Sequence, residues 1–331
     1  MVTDEQLAQS KQIQRHTGRT FHVATRFLPE RIRHATYVLY AFFRMADQVV
    51  DDPDPMPPEV QEDELRRIRL AATGTVDTWD PVLEAFNEIR AEFEIPTGEV
   101  HAFIDAMERD IGELPEPEVV FAHREELTQY LRGSAVAVAY MMLAVMDPED
   151  PETARPHARA LGEAFQLTNF LRDVREDLEE FNRIYLPQST LDRTGATTEE
   201  IETARPTPAL RDAIQHELEA AEARYRTGVA GIRYLPQGCQ FPVLLAAIFY
   251  AEYHRIIRRD RFDVVTTAPS LSVPRYLTLF VRARWHWYRT NDPERVFYRV
   301  SPIDRDVRPA GRVERKPSSS LQSTLDGSHD R

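Results

Sequence analysis

The chain has 331 residues, enough for one large domain or two ordinary ones, and its 42% hydrophobic content allows a substantial core. Its net charge of −13 excludes general nucleic-acid binding, which needs a basic surface. Cys239 is the single cysteine, so an intrachain disulfide is excluded and a reducing compartment is expected. Scarce glycine and abundant Ala, Leu, Glu and Arg favour helices.

Arginine carries almost all of the positive charge, because lysine occurs only at Lys11 and Lys316. An acidic surface almost without lysine fits a halophilic protein, in which salt screens the repulsion between carboxylates. A GC-rich genome would produce the same bias, and we favour the halophilic explanation. The longest apolar runs, 134–146 and 241–251, are shorter than the about 20 residues that span a bilayer, and the first residues have no signal-peptide core. We expect a cytoplasmic protein, with a peripheral membrane contact left open.

The hydrophobic periodicity predicts helices along the chain and no strand of useful length. Residues 1–18 predict a short helix, a second begins at Thr20, and Pro29 starts a third that ends at the proline-rich run 51–58. Further helices are predicted at 59–72, 77–94, 97–110, 125–146, about 156–181, 209–232, 237–259 and 274–289. We therefore predict one all-α domain over residues 1–303 and a disordered polar tail over 304–331.

The helix predicted at about 156–181 carries a row of oxygen-bearing side chains on one face. Its members are three, four and four residues apart, a spacing that stacks them turn above turn. They are Gln166, Asn169, Asp173 and Asp177. Most other side chains of this helix are apolar, and unpaired carboxylates in such surroundings are costly. The row therefore predicts a cavity, a cation or a partner, and its oxygen atoms suit Mg²⁺.

The helix predicted from Pro29 carries a second row, at steps of three, four, three and four residues. It consists of Tyr37, Tyr40, Arg44, Asp47 and Asp51. Acidic pairs four residues apart are common on solvated helices, so either pair alone is weak evidence. Both pairs lie among apolar side chains, where like charges repel unless a cation lies between them. Two facing pairs can hold Mg²⁺ ions that bridge to a diphosphate and act as Lewis acids.

These motifs resemble those of the squalene/phytoene synthase family, the head-to-head isoprenoid synthases. YAFFRMADQVVDD (40–52) resembles the first aspartate motif of that family, and FQLTNFLRDVREDLEEFNRIYLP (165–187) closely resembles the second. TFHVATRFLP, FIDAMERDI and YLRGSAVAVAYMM match in order and spacing, so the resemblance covers residues 15–290. It implies an all-α isoprenoid synthase fold, which is a helical bundle around a central cavity.

The resemblance also implies a role for each residue that matches a family motif. The implied metal ligands are Asp47, Asp51, Asn169, Asp173 and Asp177, which are also implied in catalysis. Tyr40 is implied in stabilising a cation or assisting proton loss, and Arg44 in gripping diphosphate. The implied substrate-binding residues are Thr20, Phe21, Tyr130, Ala135, Val138, Gln166, Arg172 and Tyr250.

The chain departs from the family pattern at several positions. Thr20 stands where the family usually has serine, and alanines at 137 and 139 replace common glycines, which would narrow the cavity. The CQF run at 239–241 stands where an arginine is expected, so a late phosphate contact is missing or comes from Arg258 or Arg259. Taken without the resemblance, Tyr37 and Tyr130 fit core aromatics equally well. Asp105 and Asp110 are more readily explained as ion-paired than as catalytic.

The resemblance implies that two allylic prenyl diphosphates condense through their C1 ends. We expect geranylgeranyl diphosphate as substrate and phytoene as product, through prephytoene diphosphate, with Mg²⁺, or Mn²⁺ in its place, and without NADPH. The choice of a C20 substrate rests on the overall look of the motifs and on a haloarchaeal origin inferred from the composition.

Three alternatives stay open. One is a squalene or dehydrosqualene synthase that uses farnesyl diphosphate. Another is a non-catalytic relative that acts in assembly or binding, although the four aspartates are intact. The third is a head-to-tail prenyltransferase, in which the adjacent aspartates would come first in the motif, whereas Asp51 and Asp52 come last.

Overall fold

A computed structural model describes residues 19–52, 54–112 and 114–306, apart from the side chains of Arg19, Thr20 and His22. Nearly all regular structure in these residues is helical, which confirms the predicted all-α fold class. The helix predicted within 1–18 and nearly all of the predicted tail lie outside the described residues. In the part of the chain that is described, no helix is both long and apolar enough to cross a membrane.

The helices follow one another with short connections. The α-helices are α1 (Arg19–Thr25), α2 (Glu30–Val50), α3 (Pro58–Ala72), α4 (Pro81–Glu92), α5 (Thr97–Glu108), α6 (Arg124–Leu131), α7 (Val138–Met146), α8 (Pro151–Arg172), α9 (Val174–Phe181), α10 (Gln188–Thr194), α11 (Thr198–Glu202), α12 (Pro208–Ala230), α13 (Gln237–Arg259), α14 (Val273–Thr290) and α15 (Pro293–Val300). A π-helical segment, Arg132–Ala137, joins α6 to α7, and a 3₁₀ turn, Ile232–Tyr234, follows α12.

Several helix starts follow directly from local sequence. Asp80, Asp150 and Thr207 each accept hydrogen bonds from backbone N–H groups in the first turn of the next helix. A proline follows each cap at the first helical position, where its missing N–H costs nothing and its fixed φ suits the helix. These caps fix the first residues of α4, α8 and α12.

The helix predicted at about 156–181 is two helices. It begins at Pro151 and is interrupted at Asp173, whose φ of −103° and ψ of 11° are not helical. The backbone N–H of Asp173 still donates to the carbonyl of Asn169 at 2.8 Å, so the polar row continues across the interruption. Arg172 donates hydrogen bonds from Nε and Nη2 to the carboxylate of Asp173. The interruption therefore lies inside the second aspartate row, at Asp173 itself.

Other elements differ from the sequence prediction as well. The helix predicted at 125–146 contains the π-helical segment, and the stretch after Pro187, for which no helix was predicted, forms α10 and α11. The segment α15 was not predicted as a helix, and β1 (Glu118–Val119) pairs in parallel with β2 (Arg183–Ile184), where no strand was expected. These are short elements whose hydrophobic pattern is too brief to show a period.

Helix α8 lies at the centre of the packing. It contacts α12, α7, α13 and the π-helical segment. One buried apolar cluster joins α2 through α7 with part of α8, and a second joins α8 with α12 through α15. The polar row of α8 is therefore placed deep in the molecule, between two apolar regions.

Candidate active site

A cavity of about 780 Å³ is lined by residues of α1, α2, α5, α6, α7, α8, α9, α12 and α13 and of their connections. Among the described side chains, it gathers those that the resemblance assigned to the site. They are Phe21, Tyr40, Arg44, Asp47, Asp51, Tyr130, Ala135, Val138, Gln166, Asn169, Arg172, Asp173, Asp177 and Tyr250. Thr20 lies in α1, but its side chain is outside the described part of the structure. The two aspartate rows, far apart in sequence, thus line one space.

The cavity has a charged part and an apolar part. The aspartate rows and their arginines form the charged part. Part of a separate apolar cluster also lines the cavity; its cavity-lining members are Leu28, Met142, Met146, Leu235 and Val243. A ligand with an anionic head and a long hydrocarbon tail matches both parts.

The row on α2 holds two carboxylates in partly buried positions. Arg44 Nη1 donates to Asp47 Oδ2 at 2.6 Å. Burial raises the pKa of Asp47, while Arg44 opposes the shift. Burial, and then the negative charges of Asp47 and Asp110, raise the pKa of Asp51 to about 7. The site therefore holds more negative charge than its arginines balance.

The row on α8 and α9 mirrors this arrangement. Arg172 donates from Nε and Nη2 to the two carboxylate oxygens of Asp173, at 2.6 and 2.5 Å. Burial, and then the charges of Asp173, Glu176 and Asp51, raise the pKa of Asp177 to about 8. Because the charge of Asp51, directly after α2, acts on Asp177 of α9, the two rows lie close enough to repel each other.

Asn169 supplies an unsatisfied oxygen to the same wall. Its Oδ1 is buried and has no hydrogen-bond partner among the described residues, while its Nδ2 lies 3.4 Å from Gln166 Oε1. A buried carbonyl oxygen without a donor is costly, and a cation would satisfy it. This oxygen and the facing carboxylates are the hard ligands that Mg²⁺ prefers.

The residues present fit a divalent cation that is shared with a substrate. In the described ranges, no three acidic, His or Cys side chains lie close enough to form a metal cluster on their own. Mg²⁺ commonly takes one or two carboxylates and completes its shell with water and phosphate oxygens. Asp47 and Asp51 on one wall, and Asp173, Asp177 and Asn169 on the other, would hold it.

The structure adds a bridge that sequence analysis missed. Arg183, the first residue of β2, places Nη1 3.8 Å from Asp51 Oδ1 and 3.8 Å from Asp110 Oδ1, and its Nη2 donates to the Asp110 carbonyl at 2.5 Å. Tyr130 Oη donates to Asp110 Oδ2 at 2.7 Å. Burial raises the pKa of Asp110 to about 6. Arg183 and Asp110 lie in segments that resemble family motifs, but spacing in the sequence could not show that they contact each other.

The ion-pair interpretation of Asp105 and Asp110 is confirmed. Asp105 pairs with Arg69 at 2.7 Å away from the cavity, whereas Asp110 pairs with Arg183 and also lines it. The core and cavity interpretations of Tyr130 both apply, because its ring is buried and also lines the cavity.

The suggested late phosphate contact from Arg258 or Arg259 is wrong. Arg258 pairs with Glu222 at 2.6 Å and Arg259 with Asp260 at 2.8 Å, and neither lines the cavity. Both lie in the last turn of α13, and both are paired with carboxylates outside the cavity.

The helical fold and the two aspartate rows that line one partly apolar cavity are the features that the sequence resemblance implied for a prenyl-transferring synthase. Residues 14–280 match the family model described as squalene/phytoene synthase, and the chain belongs to this family. The phytoene synthase of Cereibacter sphaeroides is 31% identical over 281 residues, covering 80% of this chain and 76% of that protein. That of Thermus thermophilus is 30% identical over 256 residues, covering 74% and 80%.

Solved structures agree with the fold. A dehydrosqualene synthase in complex with ligand has a TM-score of 0.76 and 25% identity, covering 86% of this chain and 97% of that one. A squalene synthase from Alicyclobacillus acidocaldarius has a TM-score of 0.67 and 27% identity, covering 78% and 95%. The predicted isoprenoid synthase bundle is thereby confirmed.

Proposed function

We propose that the protein is a phytoene synthase, which condenses two molecules of geranylgeranyl diphosphate head to head with Mg²⁺. The observation that carries the proposal is the pair of aspartate rows facing each other at the charged part of a cavity that also has apolar walls. The relatives named phytoene synthase support the choice of product. No NADPH is needed, because the final carbocation loses a proton instead of gaining a hydride.

Bound Mg²⁺, or Mn²⁺ in its place, would neutralise diphosphate and polarise the bond to the leaving group. Arg44 and Arg172 lie beside the same carboxylates and would donate to diphosphate oxygens once a cation takes their present partners. Asn169 and Gln166, on the α8 wall, would position metal-bound water or diphosphate oxygens. These groups together bind and orient the two diphosphates with their C1 ends near each other.

The aromatic side chains near the site suit the cations of such a reaction. The rings of Phe21, Phe165 and Tyr250 contact one another and line the cavity, with centroids 4.8 to 5.5 Å apart. Tyr40 lines it beside the α2 row. The face of an aromatic ring attracts a cation, and apolar walls exclude the water that would quench it. Tyr40 would stabilise a carbocation or assist proton loss.

The reaction balances without a redox partner. The first diphosphate leaves as an allylic cation forms, and the double bond of the second substrate attacks its C1. Loss of a proton closes the cyclopropane ring of prephytoene diphosphate. Loss of the second diphosphate, rearrangement and loss of another proton then give phytoene.

A second candidate is the joining of two farnesyl diphosphates to dehydrosqualene or, with NADPH, to squalene. The likeness to solved dehydrosqualene and squalene synthases favours it. The two candidates differ in the length of the hydrocarbon tail that the apolar part of the cavity must hold.

One assay separates the two candidates. The purified protein is incubated with Mg²⁺ and either geranylgeranyl or farnesyl diphosphate, with and without NADPH, at low and molar KCl. We expect a C40 hydrocarbon from geranylgeranyl diphosphate alone, and higher activity in molar KCl because we also propose that the protein is halophilic. Product from farnesyl diphosphate only would favour the second candidate. No product under any condition would favour a non-catalytic relative.

We further propose that the protein is cytoplasmic and contacts a membrane peripherally. A C40 hydrocarbon has almost no solubility in water, so product release requires an apolar phase. Cell fractionation tests this directly: we expect the protein in the soluble fraction and, at low salt, partly with membranes.

A further inference from the structure

Helix α14 exposes a row of large apolar side chains. Val273, Leu277, Val281 and Trp285 are four residues apart, and Tyr288 follows on the same face. Their exposed fractions are 73%, 63%, 55%, 56% and 81%. At about 100° per residue these five side chains lie within roughly 120° of the helix circumference. Leu279, Ala283 and Trp287 on the other side are buried, so the exposed row is a second apolar face.

The same helix is strongly basic in an acidic protein. It contains no aspartate or glutamate, whereas the whole chain has a net charge of −13. Arg282 donates to the carbonyl of Arg299, Arg284 lies over Phe241 and Arg289 over Trp285. None of Arg282, Arg284 and Arg289 forms an ion pair with a carboxylate of the described residues. Their positive charge is therefore available to an external anion.

The same arginines affect His286, which lies on α14 between Arg284 and Arg289. Burial, and then the charges of Arg299, Arg282 and Arg289, lower the pKa of His286. An anionic surface at this face would reduce the repulsion between these groups.

Helix α14 is held firmly in place, so the apolar row is a fixed surface rather than a loose segment. Arg275 in its first turn donates from Nε and Nη2 to the carboxylate of Glu252, at 2.8 and 3.1 Å. Glu252 is fully buried in α13. Removing one partner of such a buried charge pair strongly destabilises the folded protein, because the other charge is left buried without a counter-charge.

Apolar side chains connect this region with the wall of the cavity. Phe280 of α14 stacks on Phe27 with a centroid distance of 5.1 Å and contacts Phe241 at 6.3 Å. Phe27 is 45% exposed. The next residue after each partner, Leu28 and Pro242, lines the cavity. A surface that binds lipid here would thus adjoin the apolar part of the cavity.

We propose that the α14 face, defined by Val273, Leu277, Val281, Trp285 and Tyr288, docks on the anionic surface of a lipid bilayer. Its apolar side chains enter the boundary between headgroups and acyl chains, and its arginines remain at the headgroups. A basic helix with aliphatic and aromatic residues on one face binds membranes in this way.

Charge complementarity selects this occupant over a second copy of the chain. A twofold interface through α14 would bring the same basic surfaces together, and like charges across an interface are unfavourable. Elsewhere the acidic surface would be repelled by anionic lipid, so α14 also sets the orientation. This proposal rests on exposure and charge, and its failure would leave the proposed reaction untouched.

Vesicle flotation with the full-length protein tests the docking surface. The probes are phosphatidylcholine vesicles with and without phosphatidylglycerol, at low and molar KCl. We expect flotation with the mixed vesicles, weaker flotation with the neutral ones, and a smaller difference in molar KCl because salt screens the electrostatic part.

Three double variants locate the contact. L277Q/W285Q should weaken binding to mixed vesicles at least about tenfold through lost apolar burial. R282Q/R289Q should weaken it about fivefold per charge removed and abolish the preference for phosphatidylglycerol. The matched control is V76Q/W79Q, which removes two exposed apolar side chains from another surface and should bind like wild type. All three should keep wild-type turnover with detergent-dispersed substrate.

Several results would overturn the proposal. They are absence of flotation by the wild-type protein, wild-type binding by L277Q/W285Q, and equal loss in V76Q/W79Q. Sedimentation velocity covers the other occupant: a wild-type dimer that L277Q/W285Q converts to a monomer would assign the face to a second copy of the chain instead.

Discussion

Asp51 and Asp177 lie on the two walls of the cavity, where burial and then the charges of neighbouring carboxylates destabilise their charged forms; Asp51 is one of the carboxylates that act on Asp177. Both pKa values lie well above the ordinary value for aspartate, at about 7 and about 8. Below the ordinary pKa both residues are protonated in the folded and the unfolded protein. Between that value and about pH 8, Asp51 and Asp177 bind more protons in the folded protein than in the unfolded protein. Without metal, stability therefore falls as pH rises through this window.

Replacing either aspartate with asparagine should separate activity from stability. We expect D51N and D177N to lose at least about a hundredfold in turnover, because each removes charge that is aimed at the metal and diphosphate. In EDTA at pH 8 each variant should melt about 2 °C or more above wild type, since a repelling carboxylate is gone. At pH 5 the difference should shrink. Calorimetry across this pH range measures it.

The matched control is D105N, which removes a carboxylate paired with Arg69 outside the cavity. It should keep wild-type activity and show no gain in melting temperature at pH 8. A lower melting temperature for D51N and D177N would show that the two carboxylates do not repel in the folded protein.

Arg183 is the cation that links the α2 row to Asp110. Its side chain is 7% exposed, and it lies 3.8 Å from both Asp51 and Asp110. R183Q should lower the free energy of unfolding by about 3 kcal/mol, because buried carboxylates lose their counter-charge. The double variant R183Q/D110N should recover part of that loss, since one of the stranded charges is removed.

Urea denaturation of R183Q, D110N and the double variant completes a double-mutant cycle. Coupling between the two positions would appear as a double variant that is more stable than the sum of the single losses predicts. Strict additivity would mean that Arg183 and Asp110 stabilise the protein independently.

At the scale of elements, the small residues in and after the π-helical segment both allow close packing against α5 and form part of the cavity wall. A Cβ added at Gly133 would lie 2.2 Å from the carbonyl oxygen of Ala102 in α5. Ser134, Ala135 and Ala139 line the cavity, while Ala137 is buried in the core. The sequence showed a run of small residues but could not separate helix packing from cavity wall, because the π-helical geometry rotates the side chains away from the regular period.

G133A should therefore destabilise the protein by about 2 kcal/mol, because α5 and the π-helical segment must move apart. G98A is the matched control: it lies at the start of α5, and an added Cβ there meets nothing within 4 Å. G98A should be neutral or slightly stabilising, since alanine favours helix. Equal unfolding free energies for the two variants in urea would contradict the close approach.

At the scale of the whole molecule, the sequence predicted most of what defines the site. The two aspartate rows were visible because a helix repeats its faces at a period that spacing alone shows. The all-α class followed from composition and periodicity. Arg183 was missed because its partners come from distant segments, and only packing brings Asp51 and Asp110 to it. The break at Asp173 was missed because the helical period of the sequence runs on through it.

The basic, apolar face of α14 also depends on the whole molecule. Its aromatic residues were visible in the sequence as part of a last helix, but periodicity cannot say which of two apolar faces is buried. The structure shows Trp287 inside and Trp285 outside. The length of substrate that the cavity accepts also depends on the whole molecule, because residues of several helices together form the apolar part of the cavity.

The central claim is that the two aspartate rows form one metal and diphosphate site. Calorimetric titration of inorganic diphosphate, with and without Mg²⁺, tests it without requiring turnover. Wild type should bind diphosphate only with Mg²⁺, D51N and D177N should each lose most of that binding, and D51N/D177N should be little worse than either because the rows act as a unit. Retention of full Mg²⁺-dependent binding after removal of a carboxylate from either row would contradict the claim.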